Sequence, residues 1–149
     1  MTIKKVVIRP TVAADLDAIV AVEQECYPQP WTWSQFVQEL SNPVATILVA
    51  EIAGEIVGYI CYWMIVGEMQ VLNIATSPQA RRNGIAAQLL TYAFSLCSAG
   101  ELSAVWLEVR AGNYGAIALY QRHGFIINGK RKKYYRDGED ALLMVKEIV

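Results

Sequence analysis

The sequence QARRNGIA, residues 79–86, lies between a strand-like run over residues 71–76 and a helical pattern over residues 85–97. Gly84 lets the backbone approach a ligand closely, and the helix after it supplies unpaired N–H groups and the positive end of its dipole. Arg81 and Arg82 add fixed positive charge. The stretch predicts a phosphate site, although its spacing matches neither the P-loop nor the dinucleotide-binding glycine pattern. An ordinary glycine-containing loop before a helix is the alternative.

A second informative region is SAVWLEVR, residues 103–110. Its alternation places Val105, Leu107 and Val109 on one face of a strand and Glu108 on the other. A short loop follows, and then a helical run over residues 114–122 that is closed by Gly124 at a position typical of helix ends. The strand therefore presents Glu108 from its middle.

Composition limits the classes of protein to consider. The chain has 149 residues, 54% of them hydrophobic, which suits a single domain over residues 1–149 with a well-buried sheet. The longest apolar stretch, residues 56–66, is shorter than the roughly 20 residues of a membrane span, and we recognise no secretion signal. We therefore expect a cytoplasmic protein with no membrane partner.

Charge gives little reason to expect a nucleic-acid partner. The net charge is −1, so there is no general attraction to polyanions. The basic run over residues 130–133, followed by Arg136, is the exception. It is either a solvated strand face or a contact surface for a polyanion or an acidic peptide, and the first interpretation is favoured.

Cysteine and histidine chemistry is disfavoured. Cys26, Cys61 and Cys97 form no Cys-x-x-Cys pair, and their odd number argues against a disulfide framework, so we expect core thiols. His123 is the only histidine and stands at a predicted helix end, where a capping or surface role is favoured over catalysis. No spacing predicts a metal site, and a Cys–His nucleophilic pair is improbable.

The hydrophobic pattern also predicts the order of elements. A strand over residues 6–9 precedes a helix N-capped by Thr11 and a second helix that opens with the capping box TWSQ, residues 32–35. Three successive antiparallel strands follow over residues 46–52, 55–66 and 69–76, with turns at 53–54 and 67–68. After the third helix come the Glu108 strand, the helix over residues 114–122, and two strands over residues 125–135 and 140–147. The three central strands are almost continuously apolar, so we expect them to be covered on both faces.

These features resemble the GCN5-related N-acetyltransferases (GNAT). Arg81-x-x-Gly84-x-Ala86 is similar to the acetyl-CoA signature of that family, and Asn113, Tyr120 and Gly124-Phe125 fall at the places of its Asn-x6-Tyr and Gly-Phe hallmark. The resemblance covers essentially the whole chain. It implies an α/β GNAT fold, with a mixed, mostly antiparallel sheet of about seven strands flanked by four helices.

Within that family, the segments LNIAT (72–76), WLEVR (106–110), ALY (118–120) and the YY and DGEDA ending resemble the ribosomal-protein-alanine N-acetyltransferases, the RimI type. Ala86 replaces a more usual glycine and Thr76 a more usual branched aliphatic residue, but neither change removes a backbone donor. The loop YPQPW, residues 27–31, is about one residue longer than is typical of the group. That difference affects acceptor specificity more than chemistry.

The resemblance implies an acyltransferase that uses acetyl-CoA and no metal. A backbone N–H near Ala75 or Thr76, where that strand parts from the Glu108 strand, would polarise the acetyl oxygen. Asn113 would hydrogen-bond the pantetheine arm. The implied cofactor-binding residues are Ile74, Ala75, Thr76, Arg81, Arg82, Asn83, Gly84, Ile85, Ala86, Ala87 and Asn113.

Two residues are candidates for the chemistry. An N-terminal amine, with a pKa of about 7.7 to 8.0, is largely protonated near neutral pH, so a general base helps. Glu108 is the candidate base, directly or through water, and Tyr120 is the candidate acid for the departing thiolate. The alternatives are a strand carboxylate paired with Arg110 or a lysine, and a core tyrosine.

Acceptor identity is the least determined feature. Tyr27, Trp31, Tyr134 and Tyr135 would form an aromatic rim for a peptide N-terminus, or they pack two loops onto the sheet. We expect the N-terminal alanine of a ribosomal protein as acceptor, and a monomer or weak dimer. A lysine or small-amine acetyltransferase and a non-catalytic acetyl-CoA-binding module are the alternative functions. Glu108 and Tyr120 together disfavour the latter.

Overall fold

The computed structural model describes residues 5–97 and 100–148. Over these residues the strands are β1 (Val6–Pro10), β2 (Ala45–Ile52), β3 (Glu55–Ile65), β4 (Glu68–Thr76), β5 (Ala104–Arg110), β6 (Ile126–Arg131) and β7 (Ala141–Glu147). The α-helices are α1 (Leu16–Cys26), α2 (Trp33–Leu40), α3 (Ile85–Ser95) and α4 (Tyr114–Arg122), with 3₁₀ turns at Ala13–Asp15 and Pro78–Ala80.

The strands form one sheet in the order β1-β2-β3-β4-β5-β7-β6. The β4 and β5 strands are parallel, whereas β1–β2, β2–β3, β5–β7 and β6–β7 are antiparallel. Parallel pairing of β4 with β5 extends from Glu68↔Ala104 to Val71↔Leu107. This architecture confirms the predicted mixed, mostly antiparallel seven-stranded sheet with four helices.

The described residues form two compact units. The first, called unit 1 below, contains residues 5–63 and 73–97, and the second, unit 2, contains residues 64–72 and 100–148. The division falls within β4, between Leu72 and Asn73. A single domain over residues 1–149 stays a prediction.

Unit 1 has a core that confirms the predicted two-sided burial for β2 and β3. The prediction was wrong for the first half of β4, where exposed Glu68 and Gln70 alternate with buried Met69 and Val71. Residues 47–50 of β2 and 58–62 of β3 are buried without interruption. Because successive side chains of a strand point to opposite faces, continuous burial requires cover on both faces. The fully buried side chains of this unit include Ile19, Phe36, Leu48, Tyr59, Ile60, Ile85, Leu89 and Leu90.

The start of α1 differs from the prediction. Thr11 is not a helix N-cap, because its Oγ1 is buried with no hydrogen-bond partner among the described residues. The carboxylate of Asp15 instead accepts the N–H of Val12 at 2.8 Å and two hydrogen bonds from Arg9. These bonds hold a 3₁₀ turn, and α1 begins only at Leu16.

The capping box of α2 is confirmed, and the aromatic residues of the helix are buried to different extents. Gln35 N donates to Thr32 Oγ1 at 3.2 Å, and Thr32 N donates to Gln35 Oε1 at 2.8 Å. Phe36 is fully buried, whereas Trp33 remains 51% exposed. The helix has only 8 residues, too few turns for a long buried stripe.

The hairpin turns depend on residues with positive φ. Ala53 and Gly54 join β2 to β3 with φ of 52° and 79°, as predicted. The turn from β3 to β4 uses Val66 and Gly67, with φ of 47° and 81°, one residue earlier than predicted. A two-residue turn of this kind needs two left-handed residues, and Gly67 takes the second place, so Val66 takes the first.

Unit 2 agrees with prediction up to its last strands. Val105, Leu107 and Val109 of β5 are buried and Glu108 is half-buried, and α4 has the predicted bounds and ends before Gly124, with φ of 90°. The strand predicted over residues 125–135 ends at Arg131. Lys133 adopts φ of 53°, and its N–H donates to Asp140 Oδ1 at 2.8 Å instead of extending the ladder. Residues 132–140 therefore form a loop, called the hairpin loop below.

The cysteine prediction holds only in part. Cys61 is buried, but Cys26 and Cys97 are half-buried, and all three are free. Among the described residues there is no cluster of three potential metal ligands. None of the described helices is both long and apolar enough to cross a membrane.

Candidate active site

The loop before α3 presents a run of unpaired backbone donors. Arg82 and Gly84 have φ of 70° and 69°, and Gly84 is the N-cap of α3 without any side-chain cap. The first bond of the helix is Gln88 N to Gly84 O at 3.0 Å. Within residues 5–97 and 100–148, the N–H groups of residues 82–87 have no protein acceptor. This run at the positive end of a helix fits the oxygens of a diphosphate.

The two arginines of this loop differ in their contacts with the rest of the chain. Arg81 donates from Nε to Thr76 O at 3.3 Å, and its Nη2 lies 3.7 Å from Cys26 Sγ. Arg82 is exposed and has no ion-pair or hydrogen-bond partner in the described chain. Asn83 Nδ2 donates to Ala80 O at 2.8 Å and so fixes the loop from within. Arg82 is thus the arginine left available to an anion.

The second half of β4, residues 73–76, is fastened to the end of α1. Tyr27 donates its hydroxyl to Ile74 O, and Cys26 Sγ donates to Thr76 O at 3.2 Å. Burial raises the pKa of the Cys26 thiol, with a smaller opposing effect from Arg81, so the neutral thiol is favoured. These contacts bring Tyr27 together with the predicted cofactor residues of β4.

The same half-strand also lies very close to β3. A Cβ placed on Gly58 would stand 2.9 Å from Ala75 O and 3.0 Å from Ile85 Cγ2. The backbones can approach this closely only because position 58 has no side chain. The predicted roles of the Ala75 and Thr76 N–H groups in polarising an acetyl oxygen stay predictions.

Sequence reasoning missed Glu23, which lies at the centre of this region. It is 1% exposed and accepts hydrogen bonds from Tyr59 OH, from Asn73 Nδ2 at 2.8 Å and from Trp31 N at 2.9 Å. Burial, followed by the charge of Glu23, raises the pKa of Tyr59 well above its usual value. The sequence feature that could have identified Glu23 was its position on the buried face of α1, four residues after Ile19.

In unit 2, the candidate base Glu108 has two neighbours that the sequence did not indicate. Arg131 Nε lies 3.8 Å from Glu108 Oε1, a loose pair in which the two side chains are 57% and 29% exposed. The pKa of Tyr134 is raised, first by desolvation and then by the charge of Glu108 and a hydrogen bond to it. The predicted alternative partner, Arg110, binds elsewhere. Glu108 therefore has an accessible carboxylate without a strong ion pair.

Tyr120, the candidate acid, is a buried helix residue. It is 5% exposed, and its ring centroid lies 5.7 Å from that of Phe125. Burial raises its pKa, with a smaller contribution from Tyr135. The phenol therefore stays protonated across the pH range of an enzyme assay, as a proton donor must. The same burial and ring contact also suit a core tyrosine, so its catalytic role stays a prediction.

Arg110 organises the hairpin loop. Its Nη1 donates to Asp137 Oδ2 at 2.8 Å and to Glu139 Oε1 at 3.0 Å, and its guanidinium lies 4.0 Å from the ring centroid of Tyr135. Glu139 Oε2 also accepts Gly112 N at 2.8 Å. Tyr134 and Tyr135, the predicted acceptor residues of this unit, lie in this loop with ring centroids 5.2 Å apart.

Two residues singled out from the sequence, Asn113 and His123, cap the two ends of α4. Asn113 Oδ1 accepts Ala116 N at 3.2 Å and caps α4, so its amide is held at a fixed place. Its contact with pantetheine stays a prediction. His123 is the C-cap of α4, and its carbonyl accepts a bond from Lys146 Nζ at 2.6 Å, which confirms the predicted capping role.

A groove of about 500 Å³ lies between β1 and α3 of unit 1. It shares Ala87 with the predicted cofactor residues, but no charged side chain lines it, so we do not assign the diphosphate to it. The lining residues are Val6, Ile8, Ala87, Gln88, Thr91, Tyr92 and Ser95.

Comparison with known proteins identifies the family of the chain. The profile of the acetyltransferase (GNAT) family matches residues 16–125. A Bacillus subtilis protein with the provisional name ribosomal protein bS18-alanine N-acetyltransferase is 38% identical over 132 residues, 87% of each chain. An N-alpha-acetyltransferase of Sulfurisphaera tokodaii is 34% identical over 147 residues, covering 90% of this chain and 88% of the relative.

A solved structure is similar over nearly the full length. The ribosomal-protein-S18-alanine N-acetyltransferase from Escherichia coli superimposes with a TM-score of 0.89 at 29% identity, covering 97% of this chain and 94% of that chain. These matches confirm the family and the RimI-type resemblance indicated by the sequence motifs.

Proposed function

The chain belongs to the acetyltransferase (GNAT) family, and we propose that it transfers acetyl from acetyl-CoA to the N-terminal α-amino group of a protein, with a ribosomal-protein alanine as acceptor. The observation that carries the cofactor assignment is the run of free N–H groups over residues 82–87 at the start of α3. Acetyl-CoA supplies the activated thioester. This chain supplies the donors that hold its diphosphate, together with the charge of Arg82.

Glu108 takes the proton of the acceptor amine, directly or through one water. A base is needed because an α-amino group with a pKa of about 7.7 to 8.0 is mostly protonated at neutral pH. The carboxylate is suited to this role because its side chain is 29% exposed and its nearest cation, Arg131, is 3.8 Å away. A tighter ion pair would stabilise the charged carboxylate and make it a weaker base.

Tyr120 returns a proton to the departing CoA thiolate. Its burial raises its pKa, so the phenol is fully protonated when the thiolate leaves. Asn113 lies at the start of the same helix, α4, and we assign it to the pantetheine arm.

The acceptor assignment draws on the relatives and on two aromatic pairs. Two of the relatives named above are ribosomal protein S18-alanine N-acetyltransferases by their names, one of them provisionally, and the third is an N-alpha-acetyltransferase. Tyr134 and Tyr135 are held in the hairpin loop of unit 2, and Tyr27 and Trp31 flank an exposed loop of unit 1. These rings would contact the first residues of an extended peptide. A cytoplasmic location and a monomeric or weakly dimeric state remain predictions.

The test uses two peptides that differ only at the N-terminus. One begins with a free alanine and contains an internal lysine, and the other has the same sequence with a blocked N-terminus. After incubation with acetyl-CoA, mass spectrometry should find acetyl on the α-amino group of the first and none on the second. Modification of the internal lysine in both peptides would instead assign the protein to lysine or small-amine acetylation.

A further inference from the structure

Among the residues that the structure describes, Glu23 is the one fully buried carboxylate, and the proposed mechanism does not use it. We propose that Glu23 is a positioning residue for the acceptor: it holds the loop over residues 27–31 against residues 73–76 of β4, and so sets the affinity for the acceptor peptide. This inference rests on the proposed function, which supplies the acceptor.

The first support is the cost of burying Glu23. A glutamate is almost never fully buried unless paired, yet the donors described for this carboxylate are all neutral. Tyr59 belongs to β3, Asn73 to β4, and the Trp31 N–H to the loop. One side chain of α1 therefore joins three separate segments. An apolar residue in its place would leave three polar groups without this acceptor.

The second support is a parallel attachment at the other end of the loop. Tyr27 donates its hydroxyl to Ile74 O, the residue next to Asn73. The loop is thus bound at both of its ends: Tyr27 binds Ile74 of β4, and Trp31 binds Glu23, which in turn binds Asn73 of β4. The residues between these ends, Pro28-Gln29-Pro30, are exposed. Two prolines stiffen them further.

The third support is the aromatic packing beneath the loop. The ring centroid of Trp31 lies 5.2 Å from that of Phe36, and that of Phe36 lies 5.4 Å from that of Tyr59. Tyr59 is itself a donor to Glu23, so the ring series and the carboxylate fix the same loop. A loop ordered before binding adds little ordering cost when a peptide arrives. A looser loop should therefore bind the acceptor peptide more weakly and raise its KM.

The principal experiment compares Glu23→Gln with wild type. Glutamine keeps the shape but replaces one acceptor oxygen by an NH₂ group that meets donors. We expect the KM for the N-terminal peptide to rise about tenfold, while the KM for acetyl-CoA stays within about twofold. Leu48→Ala, a fully buried change in β2, is the control. It should lower the melting temperature without changing the acceptor KM at a temperature where the protein is folded.

An unchanged acceptor KM in folded Glu23→Gln overturns the inference. If Glu23→Gln does not fold, Tyr27→Phe decides, because it removes the hydroxyl that forms the second attachment of the loop. A raised acceptor KM in Tyr27→Phe supports the role of the held loop, and a wild-type KM overturns it.

Hydrogen exchange separates this inference from the proposed function. In wild type the Trp31 amide is bonded to Glu23, so it should exchange slowly, and Glu23→Gln should speed its exchange while amides of β2 stay protected. If wild type acetylates no peptide N-terminus, the proposed function fails, and this measurement still decides whether Glu23 holds the loop. Equal exchange in both proteins would show that it does not.

Discussion

Unit 1 and unit 2 each place a glutamate beside a tyrosine hydroxyl, but the two carboxylates have opposite surroundings. Glu23 is 1% exposed and is surrounded by neutral donors. The Glu108 side chain is 29% exposed, and its partners are a loosely placed arginine and Tyr134. The first arrangement fixes backbone segments in place. The second leaves a carboxylate that is partly accessible and has no close ion pair.

The difference predicts which kind of substitution should affect each unit. In the proposed function, unit 1 binds the cofactor through backbone N–H groups, so its variants should respond to shape and local charge. In the same proposal, unit 2 supplies ionisable side chains, so its variants should change turnover and its dependence on pH. Three substitutions test this contrast.

The largest effect is expected from Glu108→Gln. Loss of the base should lower kcat/KM about 100- to 1000-fold at pH 7, since proton transfer of this kind contributes about 10²- to 10⁴-fold. The deficit should shrink as pH rises through the amine pKa of about 7.7 to 8.0, because free amine then forms without help. Steady-state rates from pH 6 to pH 10 measure it. Glu147→Gln, an exposed carboxylate of β7, should keep wild-type rates. A deficit independent of pH would argue against a base.

A smaller loss is expected from Tyr120→Phe, which removes the proton donor but keeps the ring packed on Phe125. The variant should fold normally and bind acetyl-CoA as wild type does, with kcat lowered about 100-fold. The exposed Tyr114 of the same helix gives a matched control, Tyr114→Phe, which should be silent. Single-turnover rates, with melting temperatures alongside, measure the effect. A wild-type rate for Tyr120→Phe would return this residue to a purely structural role.

The smallest of the three effects is on cofactor affinity. Gly84→Asp places a negative charge beside the donors proposed for the diphosphate, and we expect the Kd for CoA to rise about tenfold, equivalent to about 1.4 kcal/mol. Gly84→Asn is the matched control, because asparagine tolerates the same left-handed backbone at nearly the same size without the charge. Calorimetry should find its Kd within about threefold of wild type. Equal affinity for both variants and wild type would remove the diphosphate from this loop.

The fold was largely predictable because its signals are local. The capping box at Thr32, the glycines that end turns and helices, and the alternation around Glu108 each specify one element without help from the rest of the chain. The predicted N-cap at Thr11 and the predicted strand over residues 132–135 were wrong for one shared reason. In both places a carboxylate, from Asp15 or Asp140, captures a backbone N–H, and that competition is not visible in hydrophobic periodicity.

Candidate site residues could be named from the sequence where a motif specifies them, and not where a residue acts through tertiary contacts. Glu108, Tyr120 and Gly84 come from motif spacing. The Glu23 carboxylate gathers donors from three segments distant in sequence, and Arg110 exchanges its expected partner for two acids of the hairpin loop. Neither arrangement has a local sequence signature, because each depends on contacts between segments that are distant in sequence.

The anchoring of the hairpin loop has a consequence for how this protein could be altered. Asp137 and Glu139 both bind the guanidinium of Arg110, which also packs on Tyr135, so one β5 side chain holds three residues of the loop. Side chains between Arg131 and Asp137 other than Tyr135 can therefore be exchanged while these anchors stay. Relatives could diverge in the peptides that they accept by rewriting this short segment alone, and a designer could graft a foreign sequence onto the same two acids.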